Sequence, residues 1–176
     1  MNYENIKMYP PQRTHTRYSL IKDGAKMLIV VGFNPSTADD TKIDATMRFV
    51  LGIAEFNEYD GFAMVNLYPL RSTNPDDLPL NADEELIKEN FSHIDSILEE
   101  YPTADILLAY GNLVNSRPYT KEIARNLLEL FNNKSRSANS RVLICSTIFP
   151  VGLCLITTHI PMWHATIPPV DDWPIW

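Results

Sequence analysis

The sequence predicts an α/β fold of three layers, with a mostly parallel four-stranded sheet between helices. Three observations lead there. Strand-like apolar runs begin near residues 27, 62, 105 and 141, a recurrence of ~35 to 43 residues that matches the length of a strand-helix-strand unit. Amphipathic helical patterns fill the intervals, which implies right-handed crossovers covering both sheet faces. Finally, Leu28-Ile29-Val30-Val31 is apolar throughout and runs straight into Gly32-Phe33-Asn34-Pro35-Ser36, a polar loop at the end of a buried strand, where α/β proteins bind ligands.

Taken in order, residues 1–16, with Pro10-Pro11, read as an extended arm. A short strand at Arg17-Tyr18-Ser19-Leu20-Ile21 is expected to turn at Asp23-Gly24 into Lys26 to Phe33, an opening β-hairpin. Asp44 can cap a helix from Ala45 to about Phe56, in which Met47, Val50, Leu51 and Ala54 recur at helical spacing. Its following strand starts near Gly61. The turn-rich segment Pro69 to Leu80 enters a second helix, where Asn81 and Glu84 have the spacing of a capping box. There Ile87, Phe91, Ile94 and Leu98 form one apolar stripe, with Glu84, Glu85, Lys88 and Glu99 on the solvated side. A third helix is expected from about Tyr119 to Phe131, with Ile123, Leu127 and Leu130 inward, then a polar loop from Asn132 to Ser140. Val142 to Ile148 reads as the fourth strand. Residues 150–176, proline-rich and carrying Trp173 and Trp176, show no period and are expected to wrap irregularly over the domain.

With 176 residues, 20.1 kDa and 45% hydrophobic residues, the chain can fill one core and is too short for two full-sized domains, so residues 1–176 are read as one unit. No run approaches the roughly 18 apolar residues of a spanning helix, and the polar start lacks a secretory pattern, so no membrane association and a cytoplasmic location are expected. Cys145 and Cys154 read as core thiols. The histidines at positions 15, 93, 159 and 164 show no helical ligand pairing, so no metal is expected, and no other cofactor. The absence of a P-loop or G-x-G-x-x-G pattern disfavours triphosphate or dinucleotide use. A net charge of −7 argues against nonspecific coating of nucleic acid, which lysine and arginine drive. The charge is unevenly placed, however. Asp76-Asp77 and the segment Asp83 to Glu100 are acidic, while Arg13, Arg17, Lys22, Lys26, Arg48 and Arg71 belong to segments around the candidate site.

Three strand exits carry asparagine: Asn34, Asn66 in Asn66-Leu67-Tyr68-Pro69, and Asn112 after Gly111. One such junction is ordinary turn or cap chemistry. Three at one predicted sheet edge point to a ligand site. For Asp44 the preferred reading is the helix cap, with an ion pair to Arg48 one turn on; Asp39 is kept as a site candidate.

The blocks Asn34-Pro35-Ser36-Thr37-Ala38-Asp39, Asp44-Ala45-Thr46-Met47-Arg48 and Asn66-Leu67-Tyr68-Pro69-Leu70-Arg71-Ser72-Thr73-Asn74-Pro75 resemble the DUF1643 family of small bacterial and phage-associated proteins, over roughly residues 17 to 130. A wider resemblance joins Val31-Gly32-Phe33-Asn34-Pro35 to the G-I-N-P motif of mismatch-specific members of the uracil-DNA glycosylase superfamily. Asn66 with Arg71-Ser72-Thr73-Asn74-Pro75 is similar to that superfamily's second block, and Ile106 to Gly111 to its third strand. This resemblance implies a glycosylase-like enzyme cleaving an N-glycosidic bond at a uracil-like or modified base in DNA, in a setting of phage–host conflict. Asn34 would position water, and Asn66 would read the Watson–Crick edge of a flipped base. Phe33, Tyr68 or Phe49 would supply an aromatic platform, although for Phe49 the preferred reading is plain core; Gly111 would border the base, and Ser36, Thr37, Asp39 and Arg71 would contact phosphate or substrate. The superfamily's C-terminal His-Pro block has no match; Thr158-His159-Ile160-Pro161 and Trp163-His164 come nearest, making His159 the candidate for stabilising the leaving base. Two alternatives stand beside the enzyme: a noncatalytic nucleotide or base binder that has lost this block, and a nucleoside or nucleotide N-glycosidase.

Overall fold

The computed structural model describes residues 1–135, 141–144 and 159–160. Seven strands, β1 (Lys7–Tyr9), β2 (Ser19–Lys22), β3 (Met27–Gly32), β4 (Gly61–Asn66), β5 (Asp105–Leu108), β6 (Val142–Ile144) and β7 (His159–Ile160), form one sheet in the order β1-β2-β4-β3-β5-β6-β7. The helices are α1 (Ala45–Phe56), α2 (Glu84–Glu100) and α3 (Pro118–Ser135).

The α/β class is as the sequence predicts, but the sheet is larger and mixed. The four strands β4, β3, β5 and β6 run parallel. To them are added β1 and β2 at one edge and β7 at the other, all joined by antiparallel ladders. The expected arm of residues 1–16 therefore contains an edge strand, and the expected tail contains a two-residue strand. Most of the fourth strand beyond Ile144, the cysteines, and the rest of the tail with His164 lie outside the described residues.

The opening hairpin also differs. β2 does not pair with β3; its partners are β1 and β4, and β4 separates it from β3. The Asp23-Gly24 segment passes across the start of β4. The Asp60 carboxylate accepts from Lys26 N at 2.6 Å, and Gly61 N donates to Lys26 O at 3.3 Å. Backbones meet so closely here that a Cβ on Gly61 would lie 2.5 Å from Gly24 N and 2.7 Å from Lys22 O. Glycine at both positions permits the crossing.

Side chains alternate across the central strands. Ile29, Val31, Ala63, Val65 and Ile106 join the core beneath α2 and α3, and Leu28, Val30, Phe62, Met64 and Leu107 join the core beneath α1. In α1, Met47, Val50, Leu51 and Ala54 are buried, and Asp44 is the N-cap, accepting from Met47 N at 2.9 Å. Its C-terminus closes with Tyr59 N donating to Ala54 O and Glu58 N to Glu55 O, the Schellman pattern, with Glu58 at φ 59° where glycine is favoured. In α2 the cap is Asp83, not Asn81: the Asp83 carboxylate accepts from Glu85 N and Leu86 N, both at 3.1 Å. Proline starts α3 at the position where its missing N–H costs nothing, and the helix runs on to Ser135 through the start of the expected loop. No helix among the described residues is long and apolar enough to cross a membrane.

Two backbone sites, buried Gly61 and exposed Glu58, carry opposite expectations. Gly61→Ala is expected to lower stability by about 1–3 kcal/mol by forcing the crossing apart. Glu58→Gly, which relieves a left-handed residue, is expected to raise it by about 0.5–1 kcal/mol. Urea unfolding of the two variants beside the parent checks both signs.

Candidate functional site

The parallel strands β4, β3 and β5 are neighbours, so Asn66, Asn34 and Gly111 all come to the carboxyl edge of the sheet. Gly111 opens a short 3-10 turn, Gly111–Asn115, with φ +54°, a conformation suited to glycine. Three segments braid over the exits of β3 and β4: residues 13–17, 34–39 and 69–72. Arg17 N donates to Pro69 O, Arg71 N to His15 O, Ser72 N to Pro35 O, and Tyr68 N to Phe33 O.

Side chains lock the braid. Asn34 Nδ2 donates to Ser72 O at 3.0 Å, with Pro35 O at 3.2 Å and Leu70 O at 3.4 Å. Arg17 Nη1 donates to Ala38 O at 2.9 Å, and Arg71 Nη1 to the same oxygen at 2.8 Å and to Ser36 O at 2.9 Å. Arg17 is only 2% exposed. Burial, then repulsion from Arg71, pulls its pKa down to about 10, so it is still cationic at neutral pH. Burial and the Arg13 charge lower Arg71 as well. The Nε atoms of Arg17 and Arg71 are buried without a partner among the described residues.

Asp39 and Asp44 shape the loop from within. Asp39 Oδ1 accepts from Lys42 N, Thr41 N and the Thr41 hydroxyl at 2.7–3.0 Å, while Oδ2 faces Arg13 at 3.3 Å. Burial alone would raise this carboxyl's pKa; the hydrogen bonds from Thr41 and Lys42, aided by Arg13, outweigh it and hold the value below normal. Asp44 spans the helix cap and Ala38 N, which it binds at 3.1 Å. The Tyr3 hydroxyl donates to Asp39 O, and its pKa is pushed up to about 12, chiefly by burial. Ser36 and Thr37 are half-buried beside these groups.

Beneath the braid lies Asn66, which is 0% exposed. It ends β4 opposite Gly32, and neither Asn66 Oδ1 nor Nδ2 has a hydrogen-bond partner among the described residues. A Cβ on Gly32 would stand 2.8 Å from Asn66 Oδ1, so glycine at this register position makes room for the amide. Asn90 of α2, absent from the sequence reading, is equally buried and donates to Asn66 O at 3.0 Å and Leu67 O at 3.1 Å. A polar residue on an otherwise apolar helix face was its one signal.

The remaining expected residues are dispersed. Phe33 and Tyr68 belong to the core under α2 and α3, whereas Asn66 continues the alternation of Phe62 and Met64 toward the α1 side. Tyr68 packs on Tyr119 at 5.4 Å and its hydroxyl accepts from Asp83 N at 3.2 Å. Phe49 packs against the α1-side core. The backbone of His159 pairs with Leu143, four strand positions from β4, about 19 Å at the usual strand spacing. No group of three or more His, Cys, Asp or Glu is placed to hold a metal among the described residues.

A family profile settles the chain's kinship, matching residues 17–147 to a protein family of unknown function, DUF1643. The chain belongs to DUF1643. The matched span contains the whole braid from Arg17 onward, together with Asn66 and Asn90. No curated protein and no solved structure matches the chain.

Acid titration of this DUF1643 loop has a defined sign. Because the folded-state pKa of Asp39 is depressed, its stabilisation is present above the unfolded-state value, about 3.9, and is lost as pH falls through the lower folded value. Asp39→Asn is expected to reduce stability at pH 7 and to flatten the acid limb of the stability profile, read by denaturant unfolding at pH 7 and near pH 3.

Proposed function

We propose that this protein recognises the hydrogen-bonding edge of a uracil-like or modified base through Asn66 and hydrolyses the N-glycosidic bond that attaches the base to DNA. The observation behind this reading is the unsatisfied amide. A buried polar group without a partner costs about 1–3 kcal/mol, and in native proteins such groups mark a missing water, ion or ligand. A carboxamide offers one acceptor and two donors in a plane, the complement of a base edge.

Glycosidic cleavage builds positive charge on the sugar and negative charge on the departing base, and it needs a held water. Asn34 suits the last task. With Nδ2 engaged by Ser72 and its neighbours, Oδ1 is left oriented as an acceptor for water. Arg17 and Arg71, with their buried, unpartnered Nε atoms, add positive potential for phosphate. In this reading residues 34–39 and 69–72 part to admit the base, since Asn66 is sealed when they are closed. The motif likeness of Val31 to Pro35 and Asn66 to Pro75 to the uracil-DNA glycosylases supports the same class.

A second reading is base or nucleotide binding without hydrolysis. It is favoured by the distance of His159 from β4, which leaves the expected leaving-group histidine apart from Asn66 and Asn34. The acidic chain, at −7, favours a free nucleoside or nucleotide as substrate over DNA as a third.

Asn66→Leu keeps the branched shape and removes both polar atoms. It is expected to raise the stability of the ligand-free protein by about 1–3 kcal/mol and to abolish base recognition. Mass spectrometry of free base released from uracil-containing and modified DNA, and from nucleosides, is expected to show release by the parent and none by Asn66→Leu or Asn34→Ala. Binding without release selects the second reading; a drop in stability of Asn66→Leu with unaltered binding overturns the role of the amide.

A further inference from the structure

On the opposite side of the molecule from α1, a groove of about 470 Å³ runs between the β1–β2 edge and α2. It shares no residue with the braid or with Asn66. Its floor is aromatic. Tyr9, at 50% exposure, stacks on His93 with ring centroids 4.4 Å apart and planes 12° apart, and Tyr18 tilts against it at 5.8 Å. His93 Nε2 is hydrogen bonded to the Ser19 hydroxyl at 2.8 Å. The rim is acidic: Glu85 and Glu89 stand one helical turn apart and are lined up on the groove, with Lys88 the opposing charge, 3.9 Å from Glu85.

Those charges do not cancel. Like charges one turn apart on a helix repel, and an exposed pair as long as that of Lys88 and Glu85 is weak. The Tyr18 hydroxyl donates to Glu89 and stays protonated, its pKa raised by burial and by that carboxylate. Burial lowers the pKa of His93, so the ring adds no positive charge at neutral pH. Aromatic faces beside uncompensated carboxylates attract an ammonium or guanidinium, and a planar guanidinium stacks best. The groove also opens beside β1, which ends the sheet and has no outer neighbour among the described residues. A strand edge of that kind accepts an extended peptide by backbone hydrogen bonds.

We propose that the groove between β1 and α2 takes the arginine side chain of an extended, basic segment of a partner protein, laid along β1 with its guanidinium over Tyr9 and between Glu85 and Glu89. The site is independent of the base-recognition reading, because it uses none of the same residues.

The test is calorimetric titration of the full chain with a blocked pentapeptide, Thr-Val-Arg-Val-Thr, beside the same peptide with glutamate at its centre, L-argininamide and spermidine. The arginine peptide is expected to bind, the glutamate peptide not, and the two small cations at least ten-fold more weakly than the arginine peptide. Glu85→Gln/Glu89→Gln, at exposed positions that leave the fold intact, and Tyr9→Ser are each expected to cost ten-fold or more, with salt weakening the parent complex. Asn66→Leu is expected to bind the peptide as the parent does. No binding of the arginine peptide, equal binding of the glutamate peptide, or unchanged affinity in the double glutamine variant overturns the site; small cations binding as tightly as the peptide overturn the peptide partner.

Discussion

In the loops that leave β3 and β4, the carbonyl oxygens of Ser36, Ala38, Leu70 and Ser72 take no backbone donor among the described residues, and these acceptors must be met by side chains. Three do so. Asn34 serves Pro35, Leu70 and Ser72, while Arg17 and Arg71 converge on Ala38. Hydrogen bonds from charged donors contribute roughly 1.5–3 kcal/mol each, about twice a neutral bond, and here they act against the cost of the desolvation that pulls down the Arg17 pKa. The arrangement sets everything above the sheet edge: the path of the chain into α1, the cap at Asp44, and the cover over Asn66.

Much of this was local enough to be legible. The cap and extent of α1 follow from one aspartate and a stripe of apolar residues, all within a dozen positions. The parallel core followed from apolar runs at a steady interval. Pairing partners were harder, because a strand chooses its neighbour by tertiary contact. β2 lies close to β3 in the sequence, yet β4 intervenes, a result of two glycines 37 residues apart that cross at the start of β4. The shift of the α2 cap from Asn81 to Asp83 reflects two good cap residues two positions apart. At the site, Arg17 read as one cation among several, since nothing local says that a strand-leading arginine will be buried and aimed at a loop carbonyl 21 residues away. Asn90 was hidden for the same reason.

The charge of the molecule is divided between two neighbourhoods of different character. Around Ala38 the Arg17 guanidinium is buried, that of Arg71 is half-buried, and both are bound to backbone oxygens. Along α2 most carboxylates are exposed, and Lys88, Lys134 and, toward Glu100, Lys7 are among the cations that oppose them. A buried charge held by carbonyls shapes the chain that carries it, whereas a row of exposed carboxylates projects its field into solvent within about 8–10 Å at physiological salt. The two therefore act on different ranges.

The contact between Gly32 and the Asn66 amide has a bearing on how this family can vary. The two positions are joined by register, and any side chain at 32 would occupy the volume that Asn66 Oδ1 and Met64 Cε now fill. They are thus coupled: a chain that acquires alanine or serine at the first must turn or surrender the amide at the second, or shift the end of β4. Reading positions 32 and 66 jointly sorts relatives into those that retain space for a planar polar group under the braid and those that have filled it.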